Sequence, residues 1–464
     1  MSITTADLAA AGVVGAGGAG FPTHVKLSGK ADTVVINAAE CEPLLHKDKE
    51  IILHYGESVV EGLARGMELT GAARGVVGIK RKYKHVIDSL QPKLRRGMEI
   101  VPLDDAYPAG DEFVLVYKTL GRVIPPGGIP LAVGAVVMNV ETAYNVARAG
   151  ESPVVEKFVS VAGAVRRPIS VRVPIGAPLS VCLAAAGGTD LADPAFVLGG
   201  VMMGTLAENL DGPVTKTTGG IIVLPHDHFI VRRKSWDWNK TMRTGRSACD
   251  QCSHCTELCP RYLLGHPIEP HKSMQSLGFS MNREADVPGS AFCSECNLCS
   301  YSSCPEGLDP RGVNHQNKMR LIAEKKREGV VANEKSRFIY KSQQIVEKRR
   351  KENMPFDPDR PNRLMAFRQT PTKRLMQRVD LLGFDNHGPL REELLDAPEV
   401  TLLLKQHIGA ALVPTVKPGD AVRKGDVVAI RPVTDGKPAL GADLHASIDG
   451  VVRSVGEKSI VIGK

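Results

Sequence analysis

Eight of the ten cysteines fall into two short runs, and nothing else in the chain restricts its fold as much. The first run is Cys249-x2-Cys252-x2-Cys255-x3-Cys259-Pro260, and the second is Cys293-x2-Cys296-x2-Cys299-x4-Cys304-Pro305. Three thiolates at this spacing can wrap three corners of a cubane iron–sulfur cluster. A fourth Cys followed by Pro lies too far round the turn to close the same cluster and usually ligates another. The spacing therefore predicts two [4Fe–4S] sites. One takes Cys249, Cys252, Cys255 and Cys304; the other takes Cys293, Cys296, Cys299 and Cys259. The x4 gap before Cys304 departs from the pattern and leaves that corner open. Cys-x2-Cys pairs also build zinc sites, usually as two pairs across a longer gap with four ligands in all. Zinc, or a mixed or degraded site, stays as the alternative. Disulfides fit less well, because the chain is long and its first residues do not resemble a secretory leader.

The 464 residues imply several domains, and 24% charged with 43% hydrophobic residues is an ordinary soluble balance. No apolar run approaches the roughly 20 residues that span a bilayer, and oxygen-labile clusters suit a reducing cytoplasm. The net charge of +8 is concentrated between Lys318 and Arg378, in stretches such as Glu324-Lys325-Lys326-Arg327 and Glu347-Lys348-Arg349-Arg350-Lys351. Acidic residues are interleaved and no nucleic-acid motif accompanies them. The stretch reads as a solvated helix or a dock for an acidic partner, not as a nucleic-acid surface.

Residues up to about 150 alternate between buried strands (Thr33 to Asn37, Gly75 to Lys80, Val133 to Asn139) and helical stretches (Lys49 to Leu69, Lys84 to Leu94, Thr142 to Ala149). That alternation predicts an α/β layer with a mostly parallel sheet. From Val155 to about Arg232 the pattern shifts to short strands, with one helix, Leu179 to Ala186, stopped by Gly187-Gly188. A charged helical stretch, Val313 to Glu352, leads into a Pro- and Arg-containing linker from Met354 to Pro371, and Val400 to Lys464 is strand-rich.

Three segments of the α/β region could hold a two-electron cofactor. Gly15-Ala16-Gly17-Gly18-Ala19-Gly20-Phe21-Pro22-Thr23 is a glycine-rich loop whose amides can approach phosphate, with Lys26 nearby as a cation. Its spacing is not the Rossmann fingerprint, and a flexible turn is the plain alternative. Asn37-Ala38-Ala39-Glu40-Cys41-Glu42-Pro43 ends a strand, where ligands bind in open α/β sheets. Met138-Asn139-Val140-Glu141-Thr142 opens a helix near which phosphate could sit.

Taken together these segments resemble the flavin-bearing NADH subunit of respiratory complex I and the C subunit of the Rnf complex. The loop is similar to their GxGGAGFPTxxKL element and Asn37 to Pro43 to their N-x-x-E-x-E-P element; Tyr107-Pro108-Ala109-Gly110 and Asn139-Val140-Glu141-Thr142 continue the likeness. The resemblance implies FMN held by Gly15, Gly17, Gly18, Lys26, Asn37, Asn139 and Thr142, with Phe21, Glu40 and Glu42 facing NADH. Ala39 stands where the complex I pattern has Asp, so that flavin contact is absent or replaced. Val159 to Leu224 resembles the SLBB β-grasp module. Gly199 to Gly204 and Pro213 to Thr218 look like motifs of the same Rnf subunit. Gln406-His407-Ile408-Gly409 and Leu444 to Gly450 resemble that subunit's barrel-sandwich hybrid domain. A lipoyl or biotin carrier shares this last shape but needs a Lys where the chain has His445-Ala446-Ser447.

Domain order separates relatives within this group. The barrel-sandwich module leads in the Rnf subunit but comes last here, an order similar to that of the propanediol-utilisation cobalamin reductase family of bacterial microcompartments. The likeness implies a multidomain α/β and α+β chain. It runs as an FMN/NADH-binding α/β domain (1–152), an SLBB β-grasp domain (153–235), a 2×[4Fe–4S] ferredoxin domain (244–312), a helical basic linker (313–398) and a barrel-sandwich hybrid domain (399–464). It also implies an oxidoreductase carrying electrons from NADH through FMN and two [4Fe–4S] clusters to cobalamin, cytoplasmic and in or beside a microcompartment, with shell proteins as partners. An Rnf-like electron-transfer subunit and a shell-associated relay that regenerates NAD are the other readings. NADH against NADPH, the oligomeric state and the terminal acceptor stay open at this point.

Four leftover residues carry bland expectations. Cys182 reads as a core residue and Cys41 as a packing residue, with a redox thiol as its alternative. His226 and His228 read as surface structure, not a metal pair. His254, between cluster ligands, reads as a residue that tunes or shields the cluster.

Overall fold

The computed structural model describes residues 3–278, 288–327, 361–434 and 436–464. The N-terminal domain is built on four parallel strands: β1 (Thr33–Ala38), β2 (Arg74–Lys80), β3 (Met98–Leu103) and, at the far edge, β4 (Ala135–Asn139), in the order β3-β2-β1-β4. β1 is a continuous Val/Ile run buried on both faces, as a parallel sheet covered by helices requires. Helices α1 (Thr5–Ala10) and α2 (Thr23–Leu27) precede the sheet. The long α3 (Lys47–Thr70) and α6 (Val140–Arg148) pack together on one face. α4 (Lys84–Leu90) and α5 (Glu112–Leu120) complete the layer. The sheet order reverses between β1 and β4, and their C-terminal ends place Asn37 directly opposite Asn139. That is the crevice where open α/β sheets bind ligands.

The second domain is a mixed sheet of β5 (Glu156–Gly163), β6 (Ile169–Pro174), β7 (Pro194–Leu198), β8 (Thr205–Ala207) and β9 (Gly220–Pro225), in the order β6-β5-β9-β7-β8, with helix α7 (Leu179–Ala185). It is stitched to the first domain where Ser160 Oγ on β5 accepts from the His46 and Lys47 amides at 3.1 and 2.9 Å. These are amides that the start of α3 leaves without helical partners.

The cysteine-bearing region carries short helices at Trp238–Ala248, His254–Glu257, Pro260–Leu263 and Pro270–Ser276, a π-helical turn at Cys299–Ser303, and the longer helix Pro310–Arg327. The stretch expected to be a basic linker, 313–398, is described at 313–327 and 361–398; most of its charged core lies outside the described residues. Its second part is a strap, not a plain linker. Thr370–Pro371 pairs with Ala106–Tyr107 of the first domain, and Leu390–Leu394 adds a parallel edge strand to β6. The last residues form two small antiparallel sheets. One orders Glu399–Leu403, Ser459–Gly463, Gly450–Val455 and Ala421–Val422; the other orders Val413–Pro414, Val427–Ile430 and Leu444–His445. No helix is long and apolar enough to cross a membrane among the described residues.

Candidate redox site

The strand-end crevice opens into a cavity of about 430 Å³, within the roughly 300–1,000 Å³ range of cofactor pockets. The glycine-rich loop forms one wall. It is a tight hairpin, closed by the Val14–Pro22 bridge and by the Gly15 amide donating to the Phe21 carbonyl at 2.9 Å. The cavity is lined by every residue expected from the flavin motifs: Gly15, Gly17, Gly18, Phe21, Lys26, Asn37, Glu40, Glu42, Asn139 and Thr142.

Several of these side chains are already engaged and so shape the cavity. Asn37 Nδ2 donates to the Gly110 carbonyl at 2.8 Å. Thr142 Oγ1 accepts from the Ala16 amide at 3.0 Å and so fixes the loop to α6. Lys26 Nζ donates to Glu112 and to the Val137 carbonyl at 3.0 and 2.9 Å. Glu42 does not offer its carboxylate to the cavity; both oxygens accept backbone amides of the second domain, from Met202 at 2.8 Å and Met203 at 2.7 Å. Glu40 accepts from the Glu42 amide at 2.9 Å. Burial and the charge of Asp48 push its carboxyl up to about 7. A flavin fits this cradle on two grounds. A side chain at Gly17 would strike Asn139 at 2.9 Å, whereas Gly18 meets nothing within 4 Å and leaves its backbone open to the cavity.

Beneath the cavity runs a buried charge network that sequence reasoning missed. Lys157 Nζ donates to the Ala16 carbonyl and to Glu141 Oε2; Lys47 Nζ donates to the same Glu141 oxygen at 2.9 Å and to Asp48 at 2.6 Å. Asp48 in turn accepts from Asn139 Nδ2 at 2.7 Å. Burial alone would raise the Glu141 carboxyl, but the two ammonium groups hold it below its ordinary value. The network ties the glycine loop, the head of α6 and the second domain into one support.

Two motifs without an expected role meet the loop from behind. Gly20, at φ 70°, has no room for a side chain: one would lie 2.7 Å from His407 and 2.8 Å from Thr217. Lys216 Nζ donates to the carbonyls of Gly12 and Asp443 at 2.8 and 2.9 Å, clamping the last domain to the first. Burial lowers this amine to about 7, and even a neutral amine has the two N–H groups these carbonyls need.

The eight clustered cysteines are gathered into two hollows. Cys249, Cys252, Cys255 and Cys304 line one; Cys259, Cys293, Cys296 and Cys299 line the other. Among the described residues no three His, Cys, Asp or Glu side chains converge closely enough for a single metal ion; each set of four encircles a space instead. The two runs share one backbone device. Gln251 and Ser253 flank Cys252, and Glu295 and Asn297 flank Cys296, all four at φ between 60° and 64°. These left-handed residues curl the chain round each hollow. The Glu295 amide donates to Cys293 Sγ at 3.4 Å, and the Leu308 amide to Cys304 Sγ at 3.4 Å. Burial first, then neighbouring thiols, pushes Cys255 up to about 12. Loading iron would therefore release protons. The x4 gap is absorbed by the π-turn, in which the Cys304 amide donates to the Cys299 carbonyl at 3.1 Å.

The flavin-type cavity and the second hollow share a wall: Cys296 and Ser294 line the cavity, and Tyr107 Oη donates to the Cys296 carbonyl at 2.7 Å. The first hollow lies outward, with Cys252 exposed. Cys182 is fully buried, as expected, and Cys41 is buried at the cavity wall. His226 is exposed, but His228 is not a surface residue. It is 7% exposed, caps helix Phe229–Lys234 and pairs through Nε2 with the Asp380 carbonyl, so the two histidines share no site. His254 is exposed at the start of its helix.

Fold and site together define a flavin- and iron–sulfur-bearing electron-transfer protein. Family models match the Nuo51 FMN-binding domain over 8–148, the SLBB domain over 158–206, a 4Fe-4S dicluster domain over 248–309 and the RnfC barrel sandwich hybrid domain over 388–464. The cobalamin reductase PduS of Salmonella typhimurium is 41% identical over 457 residues, 98% of this chain and 94% of its own. That of Citrobacter freundii is 40% identical over the same shares. The RnfC-type component of the Na(+)-translocating ferredoxin:NAD(+) oxidoreductase complex of Acetobacterium woodii is 33% identical over 262 residues, 54% of this chain and 56% of its own. The chain belongs to the cobalamin reductase PduS family.

Proposed function

We propose that the chain is an NADH-dependent cobalamin reductase with one FMN site and two [4Fe–4S] sites used in a fixed order. The observation that carries the reading is the shared wall between the glycine-loop cavity and Cys296. When bound, FMN supplies the exchange of one two-electron donor for one-electron carriers. Gly15, Gly17 and Gly18 present backbone to it, Lys26 supplies a cation, and Asn37, Asn139 and Thr142 hold the cavity's shape. Phe21 and Glu40 face the nicotinamide nucleotide, and Glu42 serves by fixing the loop at Met202 and Met203. Cys259, Cys293, Cys296 and Cys299 hold the inner cluster; Cys249, Cys252, Cys255 and Cys304 hold the outer one. A location in or beside a bacterial microcompartment belongs to the same proposal.

The test is anaerobic reconstitution with iron, sulfide and FMN, followed by NADH and cob(III)alamin. The wild type is expected to reduce the corrin. A Cys252→Ala, Cys296→Ala variant is expected to keep FMN and lose that reduction. Undiminished cobalamin reduction by the variant overturns the relay.

A further inference from the structure

Arg261 stands two residues beyond Cys259, in the short helix Pro260–Leu263, and is only 8% exposed. Its Nη2 donates to Asp111 Oδ2 at 2.9 Å, and its guanidinium carbon lies 3.5 Å from the centre of the Phe113 ring. Nε and Nη1 are buried without any hydrogen-bond partner. Asp111 is a divided counter-ion, because its other oxygen accepts the Phe113 and Val114 amides at the start of α5. A buried guanidinium with two idle donors is costly unless further negative charge joins it.

Two sources of such charge adjoin this side chain. Arg261 and Asp111 both line the flavin-type cavity on the side where Cys296 emerges, and Arg261 lies within Coulombic reach of Cys259. A four-thiolate cluster is anionic and becomes more so when it takes an electron, and net charge is one of the factors that set its potential. Resting on the flavin and cluster reading above, we propose that Arg261 is a positioning residue for the electron. Its charge at the shared wall stabilises the reduced form of the cluster held by Cys259, Cys293, Cys296 and Cys299, and so draws electrons out of the cavity. The cysteine-bearing region thus contributes a charged group, as well as ligands, to the flavin site.

Redox titration of the reconstituted protein, followed by electron paramagnetic resonance, tests this. In Arg261→Met the reduced-to-oxidised ratio of the inner cluster at a fixed poise is expected to fall at least tenfold, about 59 mV for one electron. The outer cluster should not move, and Arg261→Lys should restore most of the ratio. Asp111→Asn keeps a helix-capping side chain but removes the counter-ion, so its ratio should rise. An Arg261→Met protein with both clusters bound and an unchanged ratio overturns the proposal. If Arg261→Met does not assemble, an unchanged or lowered ratio in Asp111→Asn overturns it. A wild type that binds neither flavin nor cluster, seen in its absorbance spectrum, would instead overturn the reading on which the proposal rests.

Discussion

Glu40 is a carboxylic acid held at the edge of ionisation in the wall of the cavity. Burial and the neighbouring Asp48 lift it from 4.5 to about 7, so the folded chain binds its proton more tightly than the unfolded chain does. The stabilisation it contributes is fully present below about 4.5 and is lost as the pH rises through about 7. Glu40→Gln should remove this slope. The difference in Tm between wild type and variant, measured from pH 5 to 8, should therefore change across the window, and parallel curves would show that Glu40 is not the group responsible. What could be read at this scale without coordinates was local. Glycine spacing and the two strand-end asparagines marked the cavity, because close backbone approach and strand ends are written in neighbouring residues. The Lys47–Glu141–Lys157 network was not legible. Its members lie 94 and 16 positions from Glu141, and a single charge in a buried strand carries no periodic signal. Arg261 was hidden for the same reason: its partners Asp111 and Phe113 belong to another domain.

At the level of elements, the two cysteine runs are one design used twice with a single insertion. The first run reaches Cys259 from the turn His254–Glu257, with the Cys259 amide bonded to the Thr256 carbonyl. The second needs one more residue, and the π-turn Cys299–Ser303 accommodates it. The sequence shows the insertion as an irregular spacing; only the fold shows that a wider turn carries Cys304 to the hollow of the other run. Deleting Ser302 would return the turn to ordinary helical winding and rotate Cys304 by about 100°. The expected outcome is a protein that binds FMN and about half the wild-type iron, with the inner cluster retained. Full iron content in the deletion variant would mean that the π-turn does not set the position of Cys304. The same limit explains the strap at 361–398. Its basic composition announced a solvated linker, but two-residue pairings with Ala106–Tyr107 and an edge strand on β6 leave almost no trace in composition.

For the whole molecule, the consequence is a direction. Domain order along the chain places the cysteine runs after the flavin and β-grasp domains, but it does not say which run faces the cavity. Folding reverses the simplest expectation: the later run, through Cys296, touches the cavity, and the earlier run, through Cys252, reaches the surface. Three domains converge to fix this, since Glu42 of the first domain and Asn297 of the second run both bond to the loop at Met202 of the β-grasp domain. Single substitutions should therefore interrupt the path at different depths. With NADH added and samples frozen at short times, Cys252→Ala should still show a reduced inner cluster, yet cobalamin reduction should fall by at least tenfold. Cys296→Ala should accumulate reduced flavin while the outer cluster stays oxidised. If Cys296→Ala instead delivered electrons to the outer cluster at the wild-type rate, the inner cluster would be a side branch, and the shared wall would have to serve structure rather than transfer.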